Sequence, residues 1–172
     1  MTVDLKKKIY KWILLAALMF ILTILESTVL SSFRVFNATP ALIPFVVACV
    51  ALSEGVEEGV IAGLLGGFLC DAMYSSHDGF YTLILPFLVY LVCLMNTVMY
   101  WKNFGMAVLD WAALSMLLNT AHFIIYMLVA GDGNFPALLR TFSGEFITTV
   151  PFTPFLYVIV KKIIKSFVVL EE

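Results

Sequence analysis

Glu26, Asp71, His122 and Glu145 are titratable side chains set among long apolar runs. Two carboxylates brought face to face in such surroundings would supply the acid and base of an intramembrane aspartyl hydrolase. The strings that usually carry that pair, Y-D and G-x-G-D, do not occur. A membrane serine hydrolase would want G-x-S-G, where this chain has Thr141-Phe142-Ser143-Gly144. Cys49, Cys70 and Cys93 stand apart without C-x-x-C or Cys/His ligand spacing, so they read as small packing residues rather than a disulfide framework or a zinc site. A loop cradling phosphate needs G-x-x-x-x-G-K-[ST], or G-x-G-x-x-G after a strand, and neither is present. No catalytic pair, metal site or cofactor is expected.

The elements that must position these groups follow from composition. Of the 172 residues 62% are hydrophobic and 13% charged, and the mean hydropathy is +1.03. A soluble core of this size cannot hide so much Phe, Leu, Val and Ile, whereas a bilayer accepts it on every face of a helix. Six apolar segments, approximately 11–32, 38–53, 58–74, 80–100, 105–130 and 143–163, are separated by short polar or glycine-containing turns. They predict an all-α integral membrane protein, a six-transmembrane-helix bundle forming a single polytopic domain over residues 1–172. The second and third segments are short at ~1.5 Å per residue, so they use flanking polar residues or lie inside the bundle. The start, MTVDLKKKIYK before WILLAALMFILTIL, imitates a signal peptide without an A-x-A-like cleavage site and reads as an uncleaved first helix.

With both termini cytoplasmic, Lys6, Lys7, Lys8, Lys11, Lys102, Lys161, Lys162 and Lys165 fall inside and only Arg34 and Arg140 outside. The acidic turn Glu54, Glu57, Glu58 then also lies inside, which the rule permits because acidic residues weigh little in it. The outer turns are Ser31 to Thr39, Ser75 to Gly79 and Gly131 to Leu139. No basic groove points to nucleic acid, and membrane lipid is the surrounding partner.

On that frame each polar residue acquires a place. Within "SEGVEEGVIAGLLGGFLCD", Gly55, Gly59, Ala62, Gly63, Gly66, Gly67 and Cys70 fall within an arc of roughly 140° of a helix. Such a smooth strip lets another helix approach closely, which is how association is driven where lipid is as apolar as protein. Asp71 sits at the strip's edge and has two readings: a helix-end carboxylate bonding the turn Ser75-Ser76-His77, or a contact to a partner or interior polar network. Glu26, followed by Ser27 and Thr28, is expected to bond them or reach the interface. His122, flanked by Asn119 and Thr120, is the candidate for a buried polar contact, with Asn96 as its partner. Glu145 is expected to open the last helix, where the positive end favours an anion, with Arg140 near enough to pair. Asp110, Trp111 and Lys102 read as an inner-surface anchor in the aromatic belt. Pro151 and Pro154 break backbone hydrogen bonds of the last helix and are expected to kink it.

The spacing of these pieces resembles one family. "TPALIPFVVACVAL", then "GVIAGLLGGFLCD", then Gly79 eight residues after Asp71 and Tyr90 eleven after that, is similar to the rod shape-determining MreD family over approximately residues 26 to 92. The ending "VPFTPFLYVIVKKIIK" is similar too. The chain departs from the family's pattern at Pro40-Ala41, at the acidic turn, and at Asp78-Gly79. The resemblance implies a non-enzymatic scaffold of the bacterial elongation complex in the cytoplasmic membrane. It would bind the bitopic protein MreC directly and work with MreB, RodA and a class B penicillin-binding transpeptidase. It also implies a fold similar to the substrate-binding subunits of energy-coupling-factor vitamin transporters. Such a subunit is the alternative function, although its usual A-x-x-x-A stripe in the first helix is missing, since Ala16 and Ala17 are followed by Met19 and Phe20. On this resemblance Gly55, Gly59, Gly63, Gly66 and Gly67 are packing residues, and Asp71, Gly79, Tyr90, Glu26 and His122 are candidates for partner or polar-network contacts.

Overall fold

A helix pairs its backbone N–H and C=O groups within one segment, so apolar runs destined for lipid take that form. The computed structural model describes residues 2–30, 40–73, 79–96, 103–130 and 135–168, and among them it has helices and no strand. In chain order these are α1 (Thr2–Thr28), α2 (Leu42–Glu54), α3 (Val56–Met73), α4 (Phe80–Asn96), α5 (Phe104–Ala130), α6 (Phe135–Thr149) and α7 (Thr153–Val168). A 3-10 turn, Val150–Phe152, joins α6 to α7. Pro151 lies in that turn, where its missing N–H interrupts the α-helical ladder, and Pro154 falls in the first turn of α7, where it costs nothing.

Among the described residues three stretches are long and apolar enough to cross a membrane: Lys8–Thr28, Phe104–Ile125 and Leu139–Ser166, the last running through the 3-10 turn. Leu42–Glu54 and Phe80–Leu94 are apolar but shorter. Two helices begin well before the apolar segments expected at 11 and 143. α1 continues back to Thr2 because lysine is a good helix former, so the helix does not stop where the oil does. α6 is helical already at Phe135, and Pro136 is compatible with an early helical turn. The turns expected at Ser31 to Thr39 and around Ser75 to His77, with Arg34, Lys102 and the side chains of Lys6, Lys7 and Asn96, lie outside the described residues.

α2 is hydrophobic on every side, and every residue from Leu42 to Leu52 is buried. It touches α1, α3, α4, α5 and α7, while those helices contact one another as a ring: α1 with α3, α3 most extensively with α4, α4 with α5, α5 with α6 and α7, and α7 with α1. Phe45 of α2 meets Trp111 of α5 edge-on at 6.2 Å, and Trp111 stacks on Phe146 of α6 at 5.4 Å. Trp111 is 1% exposed, which overturns its expected place in an interfacial belt. Burying an indole between two rings gains more contact area than an interface would offer it.

Candidate functional site

The closest helix contact in the bundle is built by glycine. A Cβ on Gly59 would lie 2.7 Å from that of Ala51 in α2, one on Gly63 3.0 Å from the Pro86 Cα in α4, and one on Gly66 2.9 Å from the Ile43 Cγ2 in α2. On Gly67 it would lie 2.7 Å from the Tyr81 carbonyl carbon of α4. Contacts this short leave no room for a side chain, so α3 meets α4 and α2 almost backbone to backbone. Gly55 does not belong to this strip: it stands between α2 and α3 with φ +107°, and nothing lies within 4 Å of its would-be Cβ. Its hydrogen atom is needed for backbone conformation, since an L side chain is strained there. Gly79, at φ +85° before α4, has the same role.

Close approach of α3 to α4 brings Asp71 to the start of α4. Its Oδ1 accepts the Tyr81 N–H at 3.0 Å, and its Oδ2 accepts the Thr82 N–H at 2.7 Å and the Thr82 hydroxyl at 2.5 Å. The carboxylate thus caps a neighbouring helix, satisfying N–H groups that have no partner within α4. Glu26, expected near the interface or on Ser27 and Thr28, is instead 2% exposed, and its Oε1 accepts N–H groups from both Leu42 and Ile43 at the start of α2. Ser27 and Thr28 donate to the Ile24 carbonyl. The signal for this was legible: α2 begins after Pro40-Ala41 with no capping side chain of its own, so its N–H groups must be met from elsewhere.

Thr149, buried in α6 and unforeseen in the sequence, completes that cap by accepting the Ala41 N–H at 3.0 Å while donating to the Glu145 carbonyl at 2.7 Å. Glu145 does not open a helix. It lies ten residues into α6, and its oxygens accept the Ser115 hydroxyl at 3.1 Å and the Asn119 amide at 2.5 Å, both from α5. Ser115, Asn119 and His122 stand at i, i+4 and i+7, one face of a helix, a spacing that marked a polar stripe. The His122 ring packs 5.1 Å from Phe80 and 6.3 Å from Tyr81, at the start of α4, whereas Asn96 lies several turns further along that helix. The expected His122–Asn96 contact is therefore replaced, because antiparallel α4 and α5 put those residues several turns apart. Tyr90 is 45% exposed on the outer face of α4 and joins none of this.

These residues form one polar layer contributed by α1, α3, α5 and α6 and closed on the first turns of α2 and α4. A second layer lies at the other end of α2. Lys11 Nζ meets Glu54 at 2.7 and 2.8 Å with both side chains largely buried, and exposed Lys8 meets Glu58 at 3.3 Å. The Lys161 ammonium donates to the Tyr157 hydroxyl at 3.0 Å. An open apolar groove between α1 and α3 is lined by Lys8, Ile9, Trp12, Ile13, Ala16 and Leu65. Chemically, each carboxylate of the first layer accepts several N–H or O–H donors, which stabilises its charge and holds helices in place. No group of three metal-ligating side chains converges among the described residues.

Comparison with protein families matches residues 6–163 to rod shape-determining protein MreD, so the chain belongs to that family. No curated protein and no solved structure matches it.

Proposed function

We propose that this member of the MreD family is a non-enzymatic scaffold of the bacterial elongation complex, seated in the cytoplasmic membrane with six spans and both termini inside. The match over residues 6–163, nearly the whole bundle, carries the proposal, because the family's role is rod shape determination. The scaffold holds the membrane helix of MreC and, through it, MreB, RodA and a class B penicillin-binding transpeptidase, so that lateral peptidoglycan synthesis is positioned.

A rigid support for a partner helix suits such a role. Its interior is filled by α2, its carboxylates hold helix ends, and its perimeter is apolar. The groove between α1 and α3 and the outer face of α4 around Tyr90 are the surfaces where a partner helix would be met. Affinity purification of the tagged protein from native membranes in mild detergent tests this. MreC and cell-wall synthases should be recovered, whereas recovery of paired ATPases with a coupling membrane protein would assign the chain to vitamin uptake instead.

A further inference from the structure

The lysines of the bundle fall into two kinds. On α1, Lys11 and Lys8 hold the carboxylates of Glu54 and Glu58. On α7, Lys161, Lys162 and Lys165 close the apolar stretch Leu139–Ser166, and among the described residues none of the three forms an ion pair. No acidic residue occurs between Glu145 and Glu171, so α7 has none of its own to offer. At ~100° per residue the three lysines share an arc of roughly 100°. Exposed Val158 stands in the same arc one turn earlier, with exposed Phe155 at its margin. Lys161 does not extend toward water, as a lysine at a membrane boundary ordinarily does. Its ammonium turns back by one turn, donates to the Tyr157 hydroxyl at 3.0 Å and stands 5.0 Å from the centre of that ring. Phe104 of α5 braces the ring edge-on at 5.3 Å.

From Phe146 to Val160 the chain carries no charge, so this turn draws the ammonium toward the apolar side of its own Cα. An ammonium has three donors, and the phenol occupies one of them. A neutral hydroxyl and a ring stabilise a cation at that depth only in part, and an anion would complete its surroundings. We infer that this end of α7 binds the phosphate of an anionic phospholipid. Lys161 donates from the membrane side and Lys162 and Lys165 from the water side, while an acyl chain lies along Val158 and Phe155. A lipid fits this surface better than an acidic protein segment does, for two reasons. Charge passes into apolar surface within one turn, and one of the three cations points toward the hydrocarbon, where a soluble carboxylate would have to follow it. A zwitterionic headgroup carries an ammonium of its own, which the lysines repel. The site requires only that α7 reach a membrane surface, and it stands whether or not MreC is bound.

The test is native mass spectrometry of the full-length protein in mild detergent, titrated with dioleoyl phosphatidylglycerol and, separately, with dioleoyl phosphatidylcholine. Phosphatidylglycerol should form the tighter first adduct, and Lys161→Gln should weaken that adduct about fivefold, the share of one lysine at a membrane surface. Tyr157→Leu keeps every charge but frees the ammonium to turn toward water, and it should weaken the adduct as well. The melting temperature of each variant, with an unchanged phosphatidylcholine adduct, reports that the bundle stays folded. Equal binding of the two lipids by the unsubstituted protein would overturn the lipid site and leave the lysines to an acidic protein segment. A loss in Lys161→Gln with none in Tyr157→Leu would overturn it too, since diffuse charge alone would then attract the lipid. Binding of soluble glycerol phosphate as tightly as the lipid would show a site for free phosphate, with no part played by the acyl chain.

Discussion

At one end of α2, Glu54 meets a cation; at the other, Glu26 meets the backbone N–H groups of Leu42 and Ile43. The two carboxylates flank the same 13-residue helix and both are withdrawn from water, yet their charges are stabilised by different means. The Lys11–Glu54 pair is a relation between two side chains and survives wherever those chains can reach. Glu26, like Asp71 on α4, depends on where a helix begins, so it senses the position of a whole element. One end is bonded by charges that can be exchanged, the other by geometry that cannot.

Breaking the pair should have the largest effect. Lys11→Ala leaves Glu54 buried without its cation, at a cost of about 3–5 kcal/mol, seen as a lower melting temperature in detergent. The exchange Lys11→Glu with Glu54→Lys should recover at least half of that loss. If the double variant melts no higher than Lys11→Ala, the two ends do not differ in kind. Gly67→Leu comes next, at about 3 kcal/mol, because it meets the Tyr81 backbone rather than a side chain that can turn aside. It should withdraw Asp71 from Thr82 while leaving Lys11 and Glu54 cross-linkable through cysteines placed at those positions.

Asp71→Asn and Glu26→Gln sharpen the contrast within the geometric end. Asp71 spends one oxygen on Tyr81 and the other on Thr82, so an amide must turn its NH2 toward one N–H donor, a loss of about 1–3 kcal/mol. Both N–H groups at α2 converge on a single oxygen of Glu26, which an amide carbonyl can still serve, and Glu26→Gln should cost about 1 kcal/mol. Equal melting temperatures for the two variants would contradict this division. The smallest effect belongs to Tyr90→Ala, within about 0.5 kcal/mol by melting. Its readout is the amount of MreC recovered with the tagged protein, which should fall.

What the sequence made legible was what repeats along a single element. The apolar runs mark the helices to within a few residues at most ends, and the four-residue interval places Gly59, Gly63 and Gly67 on one side of α3. Helix ends were harder, because Thr2 to Lys8 and Phe135 to Phe142 stay helical on polar or mixed residues whose propensity, not their hydropathy, decides. Gly55 shares the interval of the strip, yet only a φ of +107° separates a turn from a packing face. Glu26, Glu145 and Thr149 were misplaced or missed for a common reason. Their partners lie on other helices, and nothing in a single segment says which N-terminus a carboxylate will meet. Two hints existed in the missing cap of α2 and the Ser115, Asn119, His122 stripe, and both concern what an element lacks or exposes.

The cap of α2 also has an order in time. Glu26 is synthesised before the helix whose N–H groups it will accept, but Thr149 follows Ala41 by 108 residues. A growing chain therefore delivers the innermost helix to the membrane with one of its N–H groups still waiting for a hydroxyl not yet translated. Chains that stop short of α6 cannot close that bond, so the sixth segment works as a latch on the second.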